Sequence, residues 1–132
     1  MIRLLYVSQT SDIDMNTIKS ILDVSHEYNK INKISGVLIY GKGYFIQCLE
    51  GEDSVVEALY KKIILDTRHK HIELISKEKI QEPYFKDWHI SFMNEGAYKM
   101  IENRYTRHGV FDPYTMRSEQ LIMMLDELSK IV

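Results

Sequence analysis

The stretch VLIYGKGYFIQCLEGE, residues 37–52, decides the architecture. Two apolar runs, residues 37–40 and 44–50, flank Gly41-Lys42-Gly43, whose glycines are expected to supply the positive φ that a tight connection requires. The segment reads as a β-hairpin, and its second strand carries an amide, Gln47, in the middle of an otherwise apolar run. Alternation places Gln47 with Phe45 and Leu49 on one face, and Ile46 with Cys48 on the other. Neither face reads as solvent.

Toward the N-terminus, residues 2–8 (IRLLYVS) form a first strand with faces Ile2, Leu4, Tyr6, Ser8 and Arg3, Leu5, Val7. Both faces are mostly apolar, so both sides of the sheet are covered, as in a layered α/β or α+β fold. Asp14 can cap a helix beginning near Met15, whose stripe Ile18, Ile21, Leu22 and Ser25 recurs at helical spacing and which reaches about residues 29–32. Toward the C-terminus, Val55, Val56, Leu59 and Ile63, interleaved with Glu57, Lys61 and Lys62, make a second amphipathic helix ending near Asp66. Residues 72–80 alternate as a fourth strand, and residues 85–93 read as a fifth.

The order is βαββαββ. Its βαββαβ part is the ferredoxin-like pattern, in which, by fold analogy, the first and third strands lie side by side at the sheet centre beneath two helices on one face. Tyr6 and Gln47 are then expected on neighbouring central strands. Past Asn94 the pattern changes: residues 96–104 suit a short helix and residues 104–114 a loop. Leu121, Met124, Leu125, Leu128 and Ile131 or Val132 mark a C-terminal amphipathic helix. The chain thus divides into a core, residues 1–94, and a helical extension, residues 95–132, expected to cover the free sheet face.

A length of 132 residues, 45% apolar and 27% charged, suits one domain with a core of its own. The longest apolar run, residues 121–125, is five residues against the ~18 of a membrane span, and no signal-peptide layout precedes the first strand. With a single cysteine, Cys48, there is no disulfide framework and no thiolate zinc cluster, so a reducing cytoplasm fits. Seventeen basic against nineteen acidic residues, net charge −2, give no field that draws nucleic acid or an anionic membrane. The five histidines, His26, His69, His71, His89 and His108, lack metal-ligand spacing, which argues against a metal site.

Three polar groups sit where a core would be apolar. At ~100° per residue, Asn29 falls about 20° from Ile18 and so continues the sheet-facing stripe. It reads either as a helix-end residue satisfying the last carbonyls or as a core amide in need of partners. Gln47 likewise either bonds a neighbour structurally or meets a ligand, since an unpaired buried amide costs about 1–3 kcal/mol. Together with the Tyr6 phenol, these amides could read the donors and acceptors of a planar polar heterocycle. Asp66 lies about 20° from Leu59 on its helix. Arg68 and His69 beyond it can reach a ring carbonyl or a phosphate, or can simply complement the helix dipole.

The sequence resembles the BLUF domain, a blue-light sensor that holds flavin non-covalently, over residues 1–93, with a C-terminal part similar to the helical tail of short stand-alone members. The matching pieces are LLYVSQ with Tyr6, YNKINKISGVLIY with Asn29, GYFIQCLEGE with Gln47, LYKKIILDTRH with Asp66, Arg68 and His69, and FKDWHISF with Trp88. Each piece is weak alone; their order and spacing make the set specific. The resemblance implies that Tyr6 donates an electron and a proton to the photoexcited flavin. Gln47 would be the switching amide that joins Tyr6 to the ring, with Trp88 belonging to the same photoswitch. It further implies that Asn29 bonds the C4 carbonyl and N3 edge, that Ile21 and Ser25 line the pocket, and that Asp66, Arg68 and His69 hold the far edge or its surroundings. FAD is the implied cofactor, with FMN acceptable to a pocket built for the ring.

The implied activity is sensing without turnover, passed to a separate downstream protein, with homo-oligomers left open. Two positions depart from the family pattern: Tyr28 stands where a second asparagine is usual, and Ile90 where a methionine follows the tryptophan. Two other readings compete. A ferredoxin-like acyl-phosphate hydrolase would use Arg68 for phosphate and Asn29 for water. A flavin-free interaction module would leave Asn29 and Gln47 buried without ligand partners.

Overall fold

The computed structural model describes residues 1–106 and 109–130. In chain order the elements are β1 (Ile2–Thr10), α1 (Met15–Ile31), β2 (Ser35–Gly41), β3 (Tyr44–Gly51), α2 (Asp53–Ile64), β4 (His69–Lys79), β5 (Trp88–Phe92), α3 (Glu95–Tyr105), a 3-10 turn (Pro113–Thr115) and α4 (Ser118–Ser129). The five strands form one sheet in the order β4-β1-β3-β2-β5. Among the first four each neighbouring pair is antiparallel, while β5 joins the β2 edge in parallel. This is the ferredoxin-like arrangement with one strand added, and β1 and β3 are its central pair, as the sequence implies.

Each sheet face carries its own core. On the Tyr6 face, Ile2, Leu4, Leu38, Phe45 and Leu49 pack against Ile18 and Leu22 of α1 and Val56 of α2. On the opposite face, Val37, Ile39, Ile46 and Cys48 meet Ile101 of α3 and Leu121, Met124, Leu125 and Leu128 of α4. The C-terminal helix therefore docks on its own sheet, and Ser91 of β5 ties to it by donating to the Leu128 carbonyl (3.3 Å). The terminal pair Ile131 and Val132, assigned from sequence to this helix, and His108 fall outside the described residues. No helix among the described residues is long and apolar enough to cross a membrane.

The structure corrects three local expectations. In the hairpin the positive φ angles belong to Lys42 (52°) and Gly43 (82°), not to both glycines. Gly41 stays in β2, where a Cβ would come within 2.4 Å of the Met93 Cβ, so what it provides there is the absence of a side chain. The fifth strand starts at Trp88 rather than at residue 85, because the Tyr84 and Phe85 amides donate to the buried Glu50 carboxylate (3.0 and 2.8 Å) instead of to a strand. The fourth begins at His69, three residues earlier than the alternation suggests. Its register against β1 shifts between Leu5 and Tyr6 and again between Val7 and Gln9, and His71 there adopts φ +53°. Such bulges break the simple period from which a strand start is read.

Candidate functional site

The site grows from α1. Asp14 caps this helix by accepting from the Thr17 amide (2.8 Å), and Ile18 and Leu22 bury its sheet-facing stripe. The same stripe carries Asn29 inward until it is only 1% exposed. At the helix end it is Asn32, not Asn29, that satisfies the carbonyls: its side chain donates to the Tyr28 carbonyl (2.8 Å). Both the Oδ1 and the Nδ2 of Asn29 are buried with no partner. Of the two readings open from sequence, the helix-end role is thus taken by another residue. A polar pair left unsatisfied in this way costs about 1–3 kcal/mol per group unless a ligand completes it.

Across from Asn29, the central strands bring Tyr6 and Gln47 into direct register. The Tyr6 hydroxyl donates to Gln47 Oε1 (2.5 Å), which leaves the amide nitrogen of Gln47 as its donor end. Burial, aided by the neighbouring Tyr60 and the Asp66 charge, holds the Tyr6 hydroxyl well above the usual tyrosine range, so the phenol stays protonated. Register extends the row sideways: Gln47 faces Leu38 on β2, and Leu38 faces Ile90 on β5.

Between α1, α2 and the sheet lies a cavity of about 230 Å³. A single buried water needs only ~10–15 Å³, so this space suits a ring system rather than one solvent molecule. Tyr6, Ile21, Ser25, Asn29, Gln47, Asp66, Arg68 and His69, all eight residues picked out from sequence for a bound ligand, line it. Several are already committed to neighbours. Ser25 donates to the Ile21 carbonyl (2.7 Å). Arg68 donates to Asp66 through Nε (2.9 Å) and Nη2 (2.6 Å), and this pairing pulls the Asp66 carboxyl below the ordinary carboxylate range. His69 spans Ser8 Oγ (2.7 Å at Nδ1) and the Ile63 carbonyl (2.6 Å at Nε2). A carbonyl only accepts, so Nε2 carries a proton. His69 therefore offers the cavity its ring, not a free nitrogen.

The cavity wall also contains residues that the sequence reading passed over. Phe45 follows from its alternation with Gln47, and Leu38 from its pairing with Gln47. Leu59 and Ile63 come from the apolar stripe of α2 and Lys62 from its last turn. The helix ends at Ile64, two residues before the end expected from sequence, so Asp66 lies in the connection beyond it, where its carboxylate accepts from the Arg68 amide (2.9 Å). Tyr28, noted from sequence only as a departure from the family pattern, lines the cavity beside Asn29. Trp88 packs in the same apolar layer, 8% exposed and with its indole nitrogen unpartnered, but it does not reach the cavity lining. Cys48 points to the other face, where burial raises its thiol far above the usual range and leaves it inert. Among the described residues no cluster of metal-ligating side chains occurs.

Apolar walls with two inward amides and a phenol define a binding protein for a flat heterocycle with donors and acceptors along one edge. Comparison with known proteins gives that class a family. The model for BLUF, sensors of blue-light using FAD, matches residues 1–91, and the chain belongs to this family. Over 94 residues it is 32% identical to a photoactivated adenylate cyclase subunit beta of Euglena longa, covering 70% of this chain and 11% of the relative. Over 91 residues it is 28% identical to subunit alpha of Euglena gracilis, covering 67% and 9%. The chain thus spans about a tenth of the length of the cyclase subunits it matches. Among solved structures, the photo-activated state of BlsA superposes with a TM-score of 0.80 at 31% identity, covering 98% of this chain and 94% of that one.

The residues fit a flavin. The unpartnered Asn29 amide presents a donor and an acceptor together, Gln47 keeps its amide nitrogen for a ligand, and Leu38, Phe45 and Ile63 supply flat apolar contact. The hydrolase alternative fits poorly, because Arg68 is engaged by Asp66 rather than held open for phosphate.

Proposed function

We propose that the chain senses blue light through a non-covalently bound oxidised flavin, FAD in preference with FMN acceptable, and performs no turnover of its own. The observation that carries this reading is the Tyr6–Gln47 hydrogen bond on the central strands, facing a cavity whose opposite wall holds the unpartnered Asn29 amide. Bound flavin supplies absorption of blue light and, once excited, strong one-electron oxidising power. Tyr6 would be the donor of the electron and proton that the excited ring takes up, and would recover both as the ring relaxes. Gln47, which accepts from Tyr6 and keeps its amide nitrogen for the ligand, would join the phenol to the ring and turn its amide toward the ring carbonyl, the new orientation being what persists.

Asn29 holds the ring's C4 carbonyl and N3 edge, and Ile21 and Ser25 support the ring from α1. Arg68, fixed by Asp66, and the ring of His69 bound the far edge. Residues 1–94 form the flavin-binding unit and residues 95–132 an extension that carries the change onward, with Trp88 on the connecting strand. The output passes to a separate protein in the cytoplasm; neither nucleic acid nor a membrane is its target.

Purified protein reconstituted with FAD is expected to be yellow and to show, on blue illumination, a small red shift of a still-oxidised flavin spectrum that reverses in the dark. A colourless protein that no flavin reconstitutes would falsify the reading.

A further inference from the structure

The deep and shallow ends of the cavity differ in charge. At the deep end, Asn29 and Gln47 are 1% and 2% exposed and uncharged. At the mouth, exposed Lys62 lines the cavity from the last turn of α2. Its ammonium nitrogen stands 5.0 Å from the centroid of the Tyr28 ring on α1, a cation–π contact that bridges the two helices. Lys62 takes part in none of the ion pairs among the described residues. The one carboxylate of the lining, Asp66, is already paired with Arg68. The mouth therefore carries an uncompensated positive charge, held in place by an aromatic face.

A flavin whose polar ring edge is bound at the deep end directs its side chain outward, toward this mouth. In nucleotide forms that chain carries phosphate, a terminal monoester in FMN and a diphosphate leading to adenosine in FAD. We propose that Lys62, positioned over Tyr28, recognises the phosphate and makes the pocket select flavin nucleotides over phosphate-free flavin. The inference rests on the flavin reading above and adds a specificity-determining residue to it. It also gives Tyr28, which replaces an asparagine usual in the family, a function: the amide is traded for a platform that orients the cation.

Dissociation constants of riboflavin, FMN and FAD for the 132-residue chain, read by flavin fluorescence at low and high salt, test this. Wild type is expected to bind FMN about two- to fivefold tighter than riboflavin, the range of an exposed ion pair, with the advantage shrinking as salt rises. In Lys62→Gln the riboflavin-to-FMN ratio should fall toward one, and Tyr28→Leu should lower it with Lys62 still present. A matching loss for FAD places the recognised group at the phosphate nearest the ribityl chain; a loss for FMN alone places it at the terminal dianion. A ratio in Lys62→Gln equal to that of wild type overturns the proposal while leaving the ring site intact. Failure of wild type to bind even riboflavin overturns the flavin reading itself.

Discussion

Asn29 is the residue whose role separates most cleanly into sequence and structure. Its angular position on α1 was enough to aim it inward, but whether it capped the helix could not be read from periodicity, because Asn32 is an equally good capping residue three positions on. The structure assigns the cap to Asn32 and leaves both polar atoms of Asn29 unpaired. Asn29→Ala is accordingly expected to weaken flavin affinity by about tenfold or more, the worth of an amide with two ligand hydrogen bonds, while the bound fraction still red-shifts in light. Equilibrium dialysis against FAD measures this, and unaltered affinity would make Asn29 a structural residue. Tyr28 stood out in the sequence only as a departure from the family pattern, and Lys62 was passed over as a site residue for the opposite reason: an exposed lysine near a helix C-terminus already has an adequate explanation in the dipole.

At the scale of elements, the hairpin and the two sheet-facing helices were legible because each carries a strong period, and fold analogy put Tyr6 and Gln47 on neighbouring central strands, while their direct pairing is set by a register visible only in the structure. The fifth strand starts three residues later than its sequence predicts because its boundary is set by a side chain from elsewhere. Glu50, fully buried, accepts from Arg3 Nε (2.9 Å) and from the Tyr84 and Phe85 amides, pinning the segment that leads into Trp88. No local propensity encodes such a long-range tie. Glu50→Ala removes the acceptor from a part-buried guanidinium and two amides at once, so a loss of about 3–5 kcal/mol is expected in urea unfolding. A change below about 1 kcal/mol would mean the segment is held by packing alone.

For the whole molecule, the sheet separates a cavity-bearing layer from a layer built by α3 and α4 and also connects them. The row from Tyr6 through Gln47 and Leu38 ends at Ile90, and the next residue, Ser91, bonds the last turn of α4. We expect reorientation of Gln47 to shift this row and loosen α4 by a small change in population. Ile90, which pairs with Leu38 and has no thioether to exchange with the amide, would be expected to pass on that shift by packing and strand pairing. Hydrogen exchange should then be faster in light at Trp88–Phe92 and Ser118–Ser129. Identical exchange in both states, with the flavin shift complete, would place the exit surface elsewhere.

All of this depends on Tyr6 and Gln47 acting as one switch. Light-minus-dark absorbance of wild type, Tyr6→Phe and Gln47→Leu, each loaded with the same flavin, isolates that pair, because both substitutions keep apolar volume while removing the phenolic proton or the amide. Both variants are expected to retain flavin and to show no reversible red shift, against a full shift in wild type. A shift of normal amplitude in either variant would contradict the assignment.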